Sequence, residues 1–217
     1  PQLRELCDKH GMLMVDDEVK SGMGRTGKML AIEHVGVKPD AVILGKPLAS
    51  GMPLSAVVGR RRIMDSQSIS HLTSAAGHPV SCAAGLATID VILNEGLLQN
   101  SARLGAYMKR ELVEMMDRHK LIGDVRGRGL FIGVELVKDR RTKEPARKEA
   151  SKLAFRAWQK GLIVIVDGTY SSNIEISPPL NIAKSEVVKG LSILESALTD
   201  VERGRVPDSV LDEKSWA

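Results

Sequence analysis

Short apolar runs and stretches of helical spacing alternate along the first half of the chain. Residues 3–10 have the spacing of a helix, and Met12–Val15 reads as a buried strand. A loop containing Gly22, Gly24 and Gly27 follows, then a short helix around Met29–His34. Ala41–Leu44 and Ser55–Gly59 are predicted as two more strands. Short apolar strands separated by helices predict an α/β layered architecture with a mainly parallel sheet covered on both faces.

The second half changes character. A helix is predicted from Pro79, with proline in its first turn, to about Asn94, and another from beyond Glu95-Gly96 to about Lys120. Ile122–Gly129 reads as a turn into a strand over Leu130–Val137. A helix over Ala146–Lys160, strands near Leu162–Val166 and Asn173–Ile176, and a helix over Lys184–Val201 complete a smaller α+β domain. The predicted division is 1–95 for the larger domain, 96–203 for the smaller one and 204–217 for a polar tail, loose or wrapped on the surface. The chain opens in mid-helix at Pro1-Gln2-Leu3, without an initiator Met or a capping residue, and reads as the C-terminal portion of a longer protein.

Composition narrows the function classes. Of 217 residues, 43% are hydrophobic and 27% charged, as in ordinary globular proteins, and the length is enough for a buried core. The net charge of +4 is spread among acids, and Arg60-Arg61-Arg62 and Arg140-Arg141 are short, so a solvated basic face or an anion-handling site is expected rather than nucleic-acid binding. Cys7 and Cys82 have no metal-ligand spacing, and neither do His34, His71 and His78; no metal is expected. No apolar run reaches membrane-spanning length and no leader pattern opens the chain, which gives a cytoplasmic expectation.

The candidate chemistry sits at strand ends. In layered α/β sheets ligands bind beyond the carboxyl ends of the strands. Asp17 and Lys46 both fall there, 29 residues apart, as neighbouring strands feeding one site require. Asp16 is the one-residue alternative to Asp17, or a strand-end cap.

The stretch Asp17-Glu18-Val19-Lys20-Ser21-Gly22-Met23-Gly24-Arg25-Thr26-Gly27-Lys28 strongly resembles a signature of class III (ω-type) aminotransferases, which are pyridoxal 5'-phosphate (PLP) enzymes of fold type I. The resemblance continues through Glu33–Asp40, Gly45–Leu54, Gly77–Ala84, Gly123–Leu130 and Pro178-Pro179-Leu180, nearly the whole chain in the family's order. It implies that Lys46 is the Schiff-base lysine and the acid/base of the reaction, and that Asp17 pairs with the pyridinium nitrogen and keeps the ring an electron sink. The register of the motif selects Asp17 over Asp16, and Val19 packs near the ring face. Lys20 stands where the family usually has Gln beside the cofactor's phenolic oxygen. Ser74, with Thr73 one residue away, aligns with a hydroxyl that reaches the cofactor phosphate of the other subunit, which implies a homodimer with shared active sites. Glu175 stands where many relatives have an arginine that grips the substrate carboxylate; Arg128 is a substitute cation, and Glu175 is equally readable as an exposed strand residue without a role.

The activity so implied is transfer of an amino group from an amine or amino acid to a 2-oxo acid. Two other readings stand beside it: an amino-acid racemase or epimerase of the same family, and a catalytically incomplete piece that only folds and dimerises. Retention of both Lys46 and Asp17 speaks against the last.

Overall fold

In the computed structural model, which describes residues 1–67 and 73–211, the chain forms two units, Pro1–Ser101 and Ala102 onward. The division falls a little beyond the glycine at 96. His71 and the last six residues of the tail lie outside the described residues.

The first unit is organised by a three-stranded sheet. β1 (Val15–Asp17) runs parallel to β2 (Ala41–Leu44), with Asp17 opposite Ile43. β3 (Ala56–Gly59) then returns antiparallel on the other side of β2, with Leu44 opposite Ala56. Valine and isoleucine supply five of the eleven strand residues, as branched side chains suit a pleated backbone. α1 (Gln2–Lys9) precedes the sheet, and α2 (Arg61–Met64) and α3 (Pro79–Asn94) follow it. Pro79 occupies the first turn of α3, where its missing N–H costs nothing, and the His78 ring accepts the Ser81 N–H at 3.3 Å. The helix expected around Met29–His34 is a 3-10 turn over Ala31–Val35, closed by Glu33 accepting the Leu30 N–H at 2.7 Å.

The first strand departs from the sequence reading. It begins at Val15 and not at Met12, and it is not buried: Met12, Leu13 and Val15 are all about half exposed. The ladder starts where Asp40 fixes Met14. The Asp40 carboxylate accepts the Met14 N–H at 2.9 Å and an Arg4 N–H at 2.7 Å, while the Asp40 N–H donates to the Met14 carbonyl at 2.8 Å. These donors, the Met14 amide first, hold the Asp40 carboxyl below the usual carboxylate range.

The second unit is built on an antiparallel sheet in the order β4-β5-β8-β7, with β6 paired to β5. The strands are β4 (Ile122–Arg128), β5 (Phe131–Asp139), β6 (Glu144–Pro145), β7 (Ile165–Asp167) and β8 (Asn173–Ile176). Helices α4 (Leu97–Arg118), α5 (Arg147–Gln159) and α6 (Lys184–Glu202) complete the unit. Its core takes Leu104, Met108, Leu112 and Met115 from one face of α4, Ile132, Val134 and Leu136 from β5, and Leu191, Leu194 and Leu198 from α6. Ile122–Gly129, expected as a turn, is a strand to Arg128. Its alternation is masked by glycines and by a register shift between Ile122 and Asp124. Gly127 takes a positive φ of 139°, and a Cβ there would lie 2.2 Å from the Phe131 carbonyl. Gly105 of α4 answers a second close approach, since a Cβ would lie 2.0 Å from the Gly129 carbonyl. The polar tail is not loose over its first part: Val206 is buried and Lys152 pairs with Asp208.

Among the described residues no single helix is long and apolar enough to cross a membrane.

Candidate active site

Period-two alternation sorts the residues at the end of β1 into two sets. Asp17 and Val19 turn to one side, Asp16 and Glu18 to the other. Asp17 is exposed, and its Oδ1 accepts the Val19 N–H at 3.0 Å, a local turn that fixes the carboxylate as the chain leaves the strand. Val19 is half-buried and lies over Gly45, where a Cβ would sit 3.5 Å from its nearest methyl. The turn after β1 is thus packed against the residue that precedes Lys46.

Lys46 opens a 3-10 helix over Lys46–Ala49, directly after β2. Its φ is +42°, a left-handed conformation unusual for a residue with a side chain. Pro47 and the buried Leu48 and Ala49 anchor the turn, and the Leu48 N–H donates to the Gly45 carbonyl at 3.0 Å. The lysine side chain is exposed. Asp17 and Lys46 therefore emerge at the same end of adjacent parallel strands, Asp17 opposite Ile43 and Lys46 just past Leu44.

The other set was less visible in the sequence. Glu18 is 1% exposed; its Oε1 accepts the Ile32 N–H at 2.9 Å and its Oε2 accepts the Ser21 hydroxyl at 2.5 Å. It ties the glycine-containing loop to the strand end, a role that only its alternation with Asp17 could have signalled. Asp16 does not cap the strand with its Oδ2, which is buried without a hydrogen-bond partner. Burial pushes its carboxyl up to about 6, helped by the charge and hydrogen bond of Glu18 and the charge of Asp17.

The remaining candidates are distributed. Lys20 is exposed beside Val19. Thr73 and Ser74 lie exposed in the turn before α3, where the Thr73 carbonyl accepts the Ala76 N–H at 3.2 Å. His34 and His78 are structural: the His34 ring lies 3.1 Å from the Thr26 hydroxyl and carbonyl, and His78 caps α3. In the second unit, Arg128 is exposed at the end of β4. Glu175 is buried at 6% exposure in β8, between Gly133 of β5 and Ile165 of β7, which corrects its reading as an exposed strand residue. The Ser177 hydroxyl donates to it at 3.0 Å, and it lines an apolar cavity of about 380 Å³ with Ile163, Ile165, Pro178, Val187 and Leu191.

This geometry fits a PLP site in part. An amine and a carboxylate at neighbouring strand ends, one on a strained turn and the other fixed by a backbone N–H, are the donor set that the cofactor's aldehyde and ring nitrogen call for.

Known proteins resemble the chain in sequence and in fold. The leucine/methionine racemase of Thermococcus litoralis is 49% identical over 97% of this chain and 47% of its own length. The isoleucine 2-epimerase of Lentilactobacillus buchneri is 47% identical over 93% of this chain and 45% of its own. The PLP-bound amine transaminase from an uncultivated Pseudomonas species superposes with a TM-score of 0.87 at 38% identity, over 93% of this chain and 47% of that one. The chain thus spans about half the length of the curated relatives it matches. The aminotransferase class-III family profile matches residues 1–198, and with the fold and the strand-end motif it places the chain in the class-III aminotransferase family.

Proposed function

We propose that the protein is a PLP-dependent aminotransferase that moves an amino group from an amine or amino acid to a 2-oxo acid. The observation that carries this reading is the placement of Asp17 and Lys46 at the shared end of β1 and β2, with Val19 packed on Gly45 between them. When bound, PLP supplies an aldehyde that captures amines and a ring that accepts electrons from the substrate Cα. Lys46 would hold the cofactor through Nζ, Asp17 would pair with its ring nitrogen, and Val19 would lie against the ring. Lys20 would face the phenolic oxygen, and Ser74, or Thr73 beside it, would reach the phosphate held by a partner subunit in a cytoplasmic homodimer.

Once a substrate amine has displaced it from the cofactor, Lys46 would act as the base. Its Nζ takes the proton from the substrate Cα, and its short turn keeps that nitrogen close to the carbon through the transfer. Where a proton is returned decides the product. Delivery by Lys46 away from Cα leads to a 2-oxo acid, whereas inversion requires a second group, on the face opposite Lys46, to protonate Cα.

A second reading, racemase or epimerase, is favoured by a specific observation: both curated relatives described above carry such names, at 49% and 47% identity. One experiment addresses both readings. The protein is incubated with PLP, reduced with borohydride and mapped for the modified peptide, and is then given L-amino acids with and without a 2-oxo acid. An adduct on Lys46 with formation of a new amino acid supports aminotransfer. An adduct with inversion and no net transfer supports the racemase. An adduct elsewhere in a folded protein refutes the site.

A further inference from the structure

Asp17 and Lys46 leave the carboxyl ends of β1 and β2, the end a layered sheet ordinarily gives to its ligand. The first unit also has a cavity of about 460 Å³ at the opposite end, where Asp40 stands just before β2 and Arg60 and Arg62 follow β3. Its charged lining is Arg4, Asp8, Asp40, Arg60 and Arg62. The two carboxylates are already engaged. Asp40 is buried and holds Arg4 at 2.7 Å through Oδ2 and Arg60 at 3.3 Å through Oδ1, while Asp8 holds Arg4 at 2.8 Å. Three guanidinium groups against two carboxylates leave one positive charge. It falls on Arg62, which has no ion pair among the described residues. Arg60 keeps half of its side chain exposed beside it. Arg61, between them in sequence, is turned to other work: it pairs with Asp65 at 2.9 Å and does not line the cavity. Place in the fold, and not the charge of the Arg60-Arg61-Arg62 run, thus selects the first and third arginines.

The chemistry of the occupant follows from the lining. A guanidinium offers paired donors that match the oxygens of a carboxylate or a phosphate. Met12, Leu13 and Ile63 give the same cavity an apolar side, and its volume is that of a small-molecule site. We propose that this cavity binds a small organic oxyanion, with its phosphate or carboxylate group held by Arg60 and Arg62 and its carbon skeleton against Met12, Leu13 and Ile63. Arg4, lying between Asp8 and Asp40, offsets part of their charge and leaves the outer arginines to the ligand. The site is separate from the reaction assigned to Lys46, which leaves from the other end of the strands.

The test titrates the 217-residue chain calorimetrically at low ionic strength with inorganic phosphate, glycerol 3-phosphate and succinate. The expected result is saturable binding of an organic probe, tighter than that of inorganic phosphate and weakened by added salt. Whichever of glycerol 3-phosphate and succinate binds better names the head group. The Nε–Hε resonances of Arg60 and Arg62 shift during the titration, and that of Arg61 does not. Arg62→Ala lowers the affinity by about tenfold or more, through loss of a charge-assisted hydrogen-bonding pair. Arg61→Ala removes the same charge outside the cavity and changes the affinity by less than about twofold. Three results overturn the proposal: no saturable binding of any probe, equal losses in Arg61→Ala and Arg62→Ala, or binding lost in Lys46→Ala and kept in Arg62→Ala. Binding that persists in Lys46→Ala leaves the proposal standing whatever becomes of the catalytic reading, so the two fail separately.

Discussion

Replacing Asp16 by asparagine should stabilise the first unit at neutral pH and leave it unchanged in acid. The folded carboxyl titrates near 6, against 3.8 for an unperturbed aspartate. Between those values the folded chain binds more protons than the unfolded one, so stability falls as pH rises through about 4 to 6, and the penalty is complete above that window. A rise of about two units, at ~1.4 kcal/mol each, gives an upper bound of ~3 kcal/mol. Asp16 is half-buried, and solvent screening reduces the expected penalty to roughly 1–2 kcal/mol. Asparagine keeps the shape, carries no charge, and offers N–H donors to Glu18. The depressed carboxyls Asp40, Asp139 and Asp208 act in the opposite sense, and their contribution is lost only as pH falls below the ordinary carboxylate range. Every aromatic residue lies beyond Ser101 (Tyr107, Phe131, Phe155, Trp158, Tyr170 and Trp216), so intrinsic fluorescence cannot report on the first unit. Hydrogen exchange of peptides spanning β1 and β2 can. The parent should open more readily at pH 7.5 than at pH 4.5, and Asp16→Asn should remove most of that difference. Equal pH dependence in parent and variant would refute the assignment of the proton to Asp16.

Three further outcomes follow from the same geometry. Lys46→Ala should abolish the borohydride-trapped PLP adduct and lower turnover by about 10²–10⁴-fold, with far-UV dichroism unchanged; an adduct that persists at full yield would move the site elsewhere. Glu18→Ala strips acceptors from the Ile32 N–H and the Ser21 hydroxyl, and should cost the first unit about 1–3 kcal/mol, read as faster exchange in the 18–32 loop. Gly105→Ala forces a methyl against the Gly129 carbonyl. It should destabilise the second unit by about 1–3 kcal/mol or more in a urea titration followed by tryptophan fluorescence, and a neutral result would mean that α4 stands farther from the β4–β5 turn.

The strands and helices were legible where one pattern ran without interruption. Ala41–Leu44, Pro79–Asn94 and Asn173–Ile176 appear with the ends read from sequence. The misses share a cause, which is that contacts outside the local pattern set the result. The first strand starts late because Asp40, far along the chain, fixes Met14. β4 hid behind glycines that are needed for close backbone approach rather than for a turn. Asp17, Val19 and Lys46 could be named because their spacing is one-dimensional. Glu18 could not, because its worth lies in reaching Ile32 and Ser21 from a buried position. Glu175 could be read as buried or exposed from a strand of four residues, and only its neighbours Gly133 and Ile165 decide it.

The exposure of Lys46 and Asp17 bears on how the chemistry is completed. The first unit fixes where both side chains leave the backbone: one on a strained turn after β2, the other on a turn closed by the Val19 N–H. Positioning alone is half of what proton abstraction from a Cα requires, because a base in open water loses the strengthening of charge interactions that a dry site provides. Neither residue is desolvated by the first unit itself. The first unit alone should therefore capture PLP at Lys46 only weakly. Titration of the visible PLP absorbance measures this, and stoichiometric capture would show that positioning of the two side chains is sufficient.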